Sequence, residues 1–496
     1  MYNYPIAVHL NKKSNAAFYK QLPVFLCFFI CLVTFLFTFY FLNLMPITVL
    51  SWGFILFSSV FILSMNRHWA GYMLIIAIPL LNVQFMYMLG PNVTQQIFLK
   101  PINIVVFIVL CAFFFERMTN KYQQVKRVFP VFHLPIIVLC MWGIISESWT
   151  PAGIFGIDMG ITFITNASLY FLISYYANSV EALKKTMLCW IVMSVFVAVF
   201  MFVSIIPGAK HMETVDIVGN FSMFSFFEMG LMRAEGLTDR STAAIFISVA
   251  VLSAAGLAST TQKTKYKVFL FLAIAFLMFA FFFTQSKAPL AGLLVGVLFI
   301  TPFIINLRKN LIRYVCYIGI SFLLIFGTFF KIIGYLLQYT AAKGGVASRL
   351  VSSSAASEAV GDRFEYWSNV FNQLIYNGVY LSGFGIGGST HYLHPVPHPH
   401  NIYISIVCDF GLVGFIVLGA VVFFVCNDVF YTVKKLPVGS TRTLLLCIYA
   451  GLIVVGVSSL SDFTYSFTIA WALLGLIAAA HKHIQNYTLV HNETVT

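Results

Sequence analysis

Long apolar runs separated by short polar connections occupy most of the chain. Such runs lie near residues 22–43, 46–65, 69–89, 99–115, 128–146, 160–177, 187–206, 241–259, 268–284, 289–305, 314–330, 402–426, 444–460 and 464–480. A helix of about 17–25 apolar residues crosses the hydrocarbon core of a bilayer. The pattern therefore predicts an all-α integral membrane protein with about 12–14 transmembrane helices.

The composition agrees with a chain that is covered by lipid. Of the 496 residues, 60% are hydrophobic and only 9% are charged, whereas soluble domains carry about 25% charged residues. All nine cysteines fall inside the apolar runs, and none forms a CxxC pair with a flanking histidine. They are therefore interpreted as small packing residues, and neither a metal site nor a cofactor is predicted.

The distribution of charge predicts the orientation. If the N-terminus is cytoplasmic, 20 of the 29 Lys and Arg residues fall in cytoplasmic segments, against only 4 of the 16 acidic residues. This bias is the positive-inside rule, and the even number of spans places both termini in the cytoplasm. The net charge of +13 is thus explained by topology, and a nucleic-acid partner is not predicted.

Three regions follow from this topology. Residues 1–330 form a transmembrane bundle of about 11 spans, and residues 402–496 form the last transmembrane helices and a cytoplasmic tail. Between them lies the longest polar stretch, residues 331–401, which is predicted to form a loop at the outer face. Long ordered loops usually carry function, so the active site is expected on this side of the membrane.

The long loop contains two local patterns. A capping-box pattern, followed by apolar residues at helical spacing, predicts an amphipathic helix near residues 362–377. Further on, prolines alternate with histidines up to His400 and Asn401, which holds this segment extended and fixes where both residues enter the next span. Zinc binding is conceivable from histidine spacing alone, but nothing completes a ligand set, so a single substrate-directed histidine is favoured.

Outer-face arginines and two acids are the remaining candidates. Arg233 and Arg363 lie beside predicted membrane-proximal elements, against the topological bias. The guanidinium group presents a rigid fork of donors that suits phosphate oxygens, so a lipid-linked diphosphate is a fitting ligand. Asp409, about eight residues into its span, and Asp462, in a short outer turn, are expected to act in function, to pair with a cation or to cap a helix.

Several motifs of the chain resemble those of the O-antigen ligase and polymerase superfamily. The carboxy-terminal signature of that superfamily is matched by Arg363-x-x-x-Trp367, Gly383-x-Gly385, His398-x-His400-Asn401-x-Tyr403 and Gly411-Leu412-x-Gly414. Two earlier elements are similar to Arg233-Ala234-Glu235-Gly236-Leu237 and Thr284-Gln285-Ser286-Lys287. In the second element, Lys287 stands where the family usually has arginine.

The resemblance implies a metal-independent glycosyltransferase without a cofactor, in the bacterial inner membrane. Such an enzyme moves a glycan from an undecaprenyl-diphosphate carrier to an acceptor sugar at the periplasmic face. By this resemblance Arg233 and Arg363 would stabilise the diphosphate leaving group, and His400 would orient or deprotonate the acceptor hydroxyl. The residues expected to assist in substrate binding are Lys287, His398, Asn401, Trp367 and Tyr403.

Two reactions and one other class stay open at this stage. A ligase would pass a finished glycan to lipid A–core, whereas a polymerase would extend the glycan on the next lipid-linked repeat unit. We favour the polymerase slightly, with a chain-length regulator as a further partner. The alternative class is a flippase of lipid-linked oligosaccharide, but the chain shows no repeated halves, and one large outer loop does not suit alternating access.

Overall fold

The computed structural model describes residues 68–79, 85–88, 96–99, 101–119, 132–177, 179–204, 240–284, 286–304, 367–389, 401–437, 439–460 and 466–493. Within these ranges the chain forms helices joined by turns, and one short hairpin. The helices are α1 (His68–Ala77), α2 (Pro101–Thr119), α3 (His133–Ser146), α4 (Ile154–Tyr176), α5 (Val180–Ser204), α6 (Arg240–Thr260), α7 (Thr264–Thr284), α8 (Lys287–Ile304), α9 (residues 367–376), α10 (Ile402–Lys435), α11 (Ser440–Ser458) and α12 (Ser466–Glu493).

Six helices of the described ranges are long and apolar enough to cross a membrane. They are Gly156–Tyr176 in α4, Val180–Val199 in α5, Ser241–Thr260 in α6, Thr264–Thr284 in α7, Ile402–Lys435 in α10 and Thr441–Ser458 in α11. Helix α7 also exposes a row of large apolar side chains, among them Phe271 and Leu272, that suits contact with lipid. The predicted all-α membrane protein is confirmed, while the predicted runs near 22–43, 46–65 and 314–330 lie outside the described residues.

The apolar run near 69–89 differs from the single span that its hydropathy predicts. Helix α1 ends at Ala77, and strand β1 (Phe85–Met88) then pairs antiparallel with β2 (Gln96–Leu99), with Phe85 opposite Leu99. Pro79 follows α1, and proline cannot donate the amide hydrogen bond that would continue a helix. Hydropathy alone does not distinguish a helix from a strand in a short apolar run.

Small residues allow the membrane helices to approach each other closely. A Cβ atom built on Gly292 of α8 would lie 2.7 Å from the Val454 carbonyl oxygen of α11, and one on Gly296 would lie 3.0 Å from that of Ala450. These two glycines form a GxxxG pattern, which lets two helix backbones touch without intervening side chains. The packing of α8 on α11 therefore fixes how the end of α8 sits against the end of α11.

A buried polar cluster joins α10, α11 and α12 near the lysine-bearing end of α10. Tyr449 donates from its hydroxyl group to Asp428 Oδ2 at 2.5 Å, and His481 Nδ1 contacts Asp428 Oδ1. All three side chains are buried. Because an unpaired polar group inside a membrane is costly, the cluster holds these three helices together at one end.

Candidate functional site

Helix α10 is broken at Gly411, and a glycine-rich loop enters the break. Gly411 has φ 65° and ψ −165°, so the intrahelical hydrogen bonds stop there. The glycine loop, defined as residues 379–389, supplies new partners on both sides of the break. The N–H groups of Phe384 and Gly385 donate to the carbonyl oxygens of Cys408 and Asp409 at 2.8 and 2.9 Å.

Backbone hydrogen bonds run in both directions between the glycine loop and α10. On the other side of the break, the N–H groups of Leu412 and Val413 donate to the carbonyl oxygens of Tyr380 and Leu381 at 2.9 and 3.2 Å. Backbone groups freed by a helix break must be paired again inside a membrane protein. The glycine loop performs this pairing, so the loop and the first part of α10 form one rigid unit.

Two glycines make this docking sterically feasible. A Cβ atom on Gly383 would lie 2.5 Å from the Asp409 carbonyl oxygen, and one on Gly411 would overlap the Leu381 carbonyl oxygen. Both residues also have a positive φ, which disfavours any L side chain. Gly383, Gly385 and Gly411 of the sequence motifs therefore have a structural explanation in close contact with backbone atoms.

Asp409 fixes the end of the glycine loop. Its Oδ1 atom accepts a hydrogen bond from the backbone N–H of Ser389 at 3.1 Å, and the carboxylate also bonds the Ser389 hydroxyl and the Gly387 N–H. The side chain is buried. These contacts are neither the ion pair nor the helix cap that were considered for this acid; they make Asp409 an anchor of the glycine loop, because its hydrogen bonds go to the loop backbone and to a serine.

Asn401 and Tyr403 anchor the start of α10 to the end of α11. Asn401 Oδ1 caps α10 by accepting from the N–H groups of Tyr403 and Ile404 at 2.9 and 3.2 Å. Asn401 Nδ2 donates to the Leu460 carbonyl oxygen at 3.1 Å, and the Tyr403 hydroxyl donates to that of Gly456 at 2.8 Å. Both were expected to bind substrate. The hydrogen bonds observed here fix the position of the chain immediately after His400, and the role of both residues in substrate binding stays a prediction.

Helix α9 packs on the glycine loop. Val370 and Leu374 of α9 form a small apolar cluster with Phe384 and Cys408. Gly378, with φ 66°, follows the helix. Trp367 is the first described residue of α9 and is half-buried. The helix lies inside the predicted 362–377 range, and Arg363 precedes Trp367 by four residues in the sequence.

Lys287 begins α8 after a tight turn. The N–H of Ser286 donates to Thr284 Oγ1 at 3.3 Å, while that hydroxyl donates to the Phe281 carbonyl oxygen at 2.7 Å, so Thr284 organises the turn. Lys287 is exposed. A cation in the first turn of a helix is disfavoured by the helix dipole, so the lysine is not placed there to stabilise α8.

The turn between α3 and α4 is a further part of the site, and the sequence interpretation missed it. Ser146 Oγ accepts from the N–H of Ile386 at 3.2 Å, and Thr150 Oγ1 donates to the Ile386 carbonyl oxygen at 2.9 Å. Trp142 Nε1 donates to the Phe410 carbonyl oxygen at 3.1 Å. A polar and aromatic group directly after an apolar run, Glu147 to Trp149, was the available signal.

Several of the predicted site residues that the structure describes lie at one end of the bundle. Lys287, Asn401 and Tyr403 lie at the end of α8, α10 and α11 that includes Ser458. Trp367 lies on α9, the helix that packs on the glycine loop. The predicted catalytic residues Arg233, Arg363 and His400, together with His398, lie outside the described residues. Their roles stay predictions.

Comparison with known proteins gave one family match. The family model described as O-antigen ligase matches residues 269–419. The matched region starts in α7, includes the turn before Lys287 and the glycine loop, and ends in α10 after the Gly411 break. No curated protein matches the chain. The turn between α3 and α4 lies outside the matched region.

Proposed function

We propose that the chain is a membrane glycosyltransferase of the O-antigen ligase and polymerase superfamily, which transfers a glycan from undecaprenyl diphosphate to an acceptor sugar, and the family match at residues 269–419 supports this proposal. We place this reaction at the periplasmic face of the bacterial inner membrane. The observation that carries the proposal is the docking of the glycine loop in the α10 break, because it unites the family-matched elements in one rigid unit.

In the proposed reaction, the acceptor hydroxyl oxygen attacks the anomeric carbon of the donor sugar. The bond from that carbon to the diphosphate oxygen breaks, and undecaprenyl diphosphate leaves. His400 takes the hydroxyl proton, because an imidazole titrates near neutral pH. Arg233 and Arg363 hold the diphosphate, so positive charge is in place where negative charge develops.

Lys287 supports this assignment from the described part of the site. It is an exposed cation at the start of α8, where the helix dipole adds positive potential, and no carboxylate of the described residues forms an ion pair with it. A cation at a helix N-terminus attracts a phosphate group. With fixed cations on the leaving group, the reaction as proposed needs no metal ion.

The structure of the α10 break argues against the flippase alternative. Transporters use broken helices to offer free backbone groups to an ion or substrate. Around Gly411, the backbone groups on both sides of the break are paired with the glycine loop. The break therefore seats a loop, and these paired backbone groups are not free to bind a transported ion or substrate.

Complementation of a deletion strain tests the proposal. The strain would receive wild type, His400→Ala, Arg363→Ala or Arg233→Ala, and surface glycans would be separated by size on a gel. We expect all three variants to lose the wild-type glycan pattern at wild-type expression levels. His394→Ala and Arg349→Ala serve as matched controls, since they remove the same side-chain types from the same loop and should complement.

The glycans that remain distinguish the two reactions. A single repeat unit on lipid A–core would mean that polymerisation is lost, which is the outcome that we favour. A bare core with long glycan still attached to undecaprenyl diphosphate would mean that ligation is lost. Full complementation by all three variants would contradict the catalytic assignment.

A further inference from the structure

The turn that joins α3 to α4 places a carboxylate beside the glycine loop. A Cβ atom built on Gly156 of α4 would lie 3.2 Å from Glu147 Oε1 and 3.4 Å from the Ile386 carbonyl oxygen. Ile386 is itself bonded to Ser146 and Thr150, on either side of Glu147. The Glu147 carboxylate therefore lies next to the loop that seats in the α10 break.

Two polar atoms of this turn are buried and have no hydrogen-bond partner in the part of the chain that the structure describes. They are Glu147 Oε2, an acceptor, and Trp149 Nε1, a donor. More than about 90% of buried polar groups in native proteins are paired, because desolvation without a partner is costly. An acceptor and a donor two residues apart in the sequence are groups that a ligand with hydroxyl groups can satisfy.

A purely structural role for Glu147 is not supported by the geometry. A carboxylate near the start of a helix often caps it, but the N-cap position of α4 is occupied by Gly153, which has no side chain, and not by Glu147. The carboxylate instead faces Gly156 and Gly160, and a Cβ atom on Gly160 would lie 3.4 Å from Glu147 Oε2. Burial raises the pKa of the Glu147 carboxyl above its ordinary value, as expected for an acid that lacks a cationic partner.

The chemistry of the turn fits a neutral sugar better than the diphosphate. A carboxylate accepts hydrogen bonds from hydroxyl groups and repels phosphate, and an indole N–H donates one further hydrogen bond. The ring of Trp149 meets the ring of Trp142 edge-on, with 5.6 Å between centroids, and aromatic faces suit the C–H faces of a sugar ring. Ser148, between the two residues, is exposed, and its hydroxyl donates to the Ile145 carbonyl oxygen.

We propose that Glu147 and Trp149 form a sugar-binding subsite, which accepts hydroxyl groups of the glycan beside the glycine loop. The subsite rests on the proposed glycosyltransferase function and extends the site beyond the family-matched residues 269–419. Glu147 and Trp149 are binding residues in this proposal. They orient the sugar, while the arginines hold the leaving diphosphate and His400 takes the proton of the acceptor hydroxyl.

The affinities of the protein for two lipids, one with and one without a glycan, distinguish a sugar subsite from a diphosphate site. The purified full-length protein would be titrated with the lipid-linked glycan that accumulates in the deletion strain, and with bare undecaprenyl diphosphate. We expect Glu147→Gln to weaken binding of the glycan-bearing lipid about tenfold, the effect of a lost hydrogen bond to a charged group. Trp149→Phe, which keeps the ring and removes the N–H, should weaken it about threefold. Neither variant should change binding of the bare carrier, and Ser148→Ala should change neither.

The same variants in a transfer assay identify which sugar occupies the subsite. Weaker binding of the lipid-linked glycan would assign the donor, whereas unchanged donor binding with a raised KM for the acceptor would assign the acceptor. Equal losses for glycan-bearing and bare carrier, or no change in donor binding or acceptor KM, would overturn the subsite. A wild-type protein that binds neither lipid and transfers no glycan would contradict the proposed function itself, and the subsite with it.

Discussion

Substitution of Gly411 by alanine should disrupt the site more than any other single methyl group added to α10. Gly411 has φ 65°, and a Cβ atom there would overlap the Leu381 carbonyl oxygen and lie 2.5 Å from the Gly383 nitrogen. Both of these neighbours are backbone atoms, so no side chain can rotate away to make room. The added methyl group must therefore displace the glycine loop from the break.

The size of the effect follows from two contributions. Holding an L residue in the left-handed region costs about 1–2 kcal/mol. Displacing the loop also breaks the four backbone hydrogen bonds that pair Tyr380, Leu381, Phe384 and Gly385 with α10. Each of these hydrogen bonds contributes about 0.5–1.5 kcal/mol net to stability. The expected loss of unfolding free energy is thus roughly 3–8 kcal/mol, beyond the 0.5–3 kcal/mol of an ordinary substitution.

Thermal unfolding of the purified protein in detergent, together with complementation of the deletion strain, measures this loss. Gly419→Ala is the matched control, because Gly419 lies in the same helix and a Cβ atom there would meet nothing within 4 Å. We expect the control to keep activity and to gain up to about 1 kcal/mol of helix stability. If Gly411→Ala matched Gly419→Ala in unfolding temperature and glycan pattern, the docking of the loop in the break would be refuted.

Three further predictions concern the other end of the bundle, the cation of α8 and the metal requirement. Asp428→Ala leaves His481 and Tyr449 buried without their shared partner, so it should lower the unfolding free energy by about 2–5 kcal/mol in the same thermal assay; an unchanged unfolding temperature would contradict this role. Lys287→Gln should reduce the rate of glycan transfer about tenfold, because it removes the positive charge. Lys287→Arg keeps the charge and adds a phosphate-binding fork, so it should preserve the rate. Equal rates for the two variants would show that the charge is not used. Transfer should continue after exhaustive dialysis against EDTA, and activity that is lost and then restored by Mg²⁺ or Mn²⁺ would contradict a reaction driven by fixed cations alone.

The sequence by itself determined the class of the protein and much of its helix pattern. The apolar run near 241–259 corresponds to α6, Arg240–Thr260, and the run near 268–284 corresponds to α7, Thr264–Thr284. These predictions succeed because a helix must be apolar over about 20 residues to cross a bilayer, which is a property of local sequence. The signature motifs also resemble those of the O-antigen ligase and polymerase superfamily, and the match of the O-antigen ligase family model to residues 269–419 supports that resemblance.

The tertiary structure alone decided what the motif residues contact. The run near 402–426 gave no sign that α10 breaks at Gly411, or that Asn401 and Tyr403 bond the end of α11. Trp142 and Phe410, which also meet here, are 268 residues apart in the chain. Hydropathy records only whether a residue prefers lipid or water. The pairing of backbone groups across a helix break depends on which distant segment reaches them, and only the folded bundle determines that.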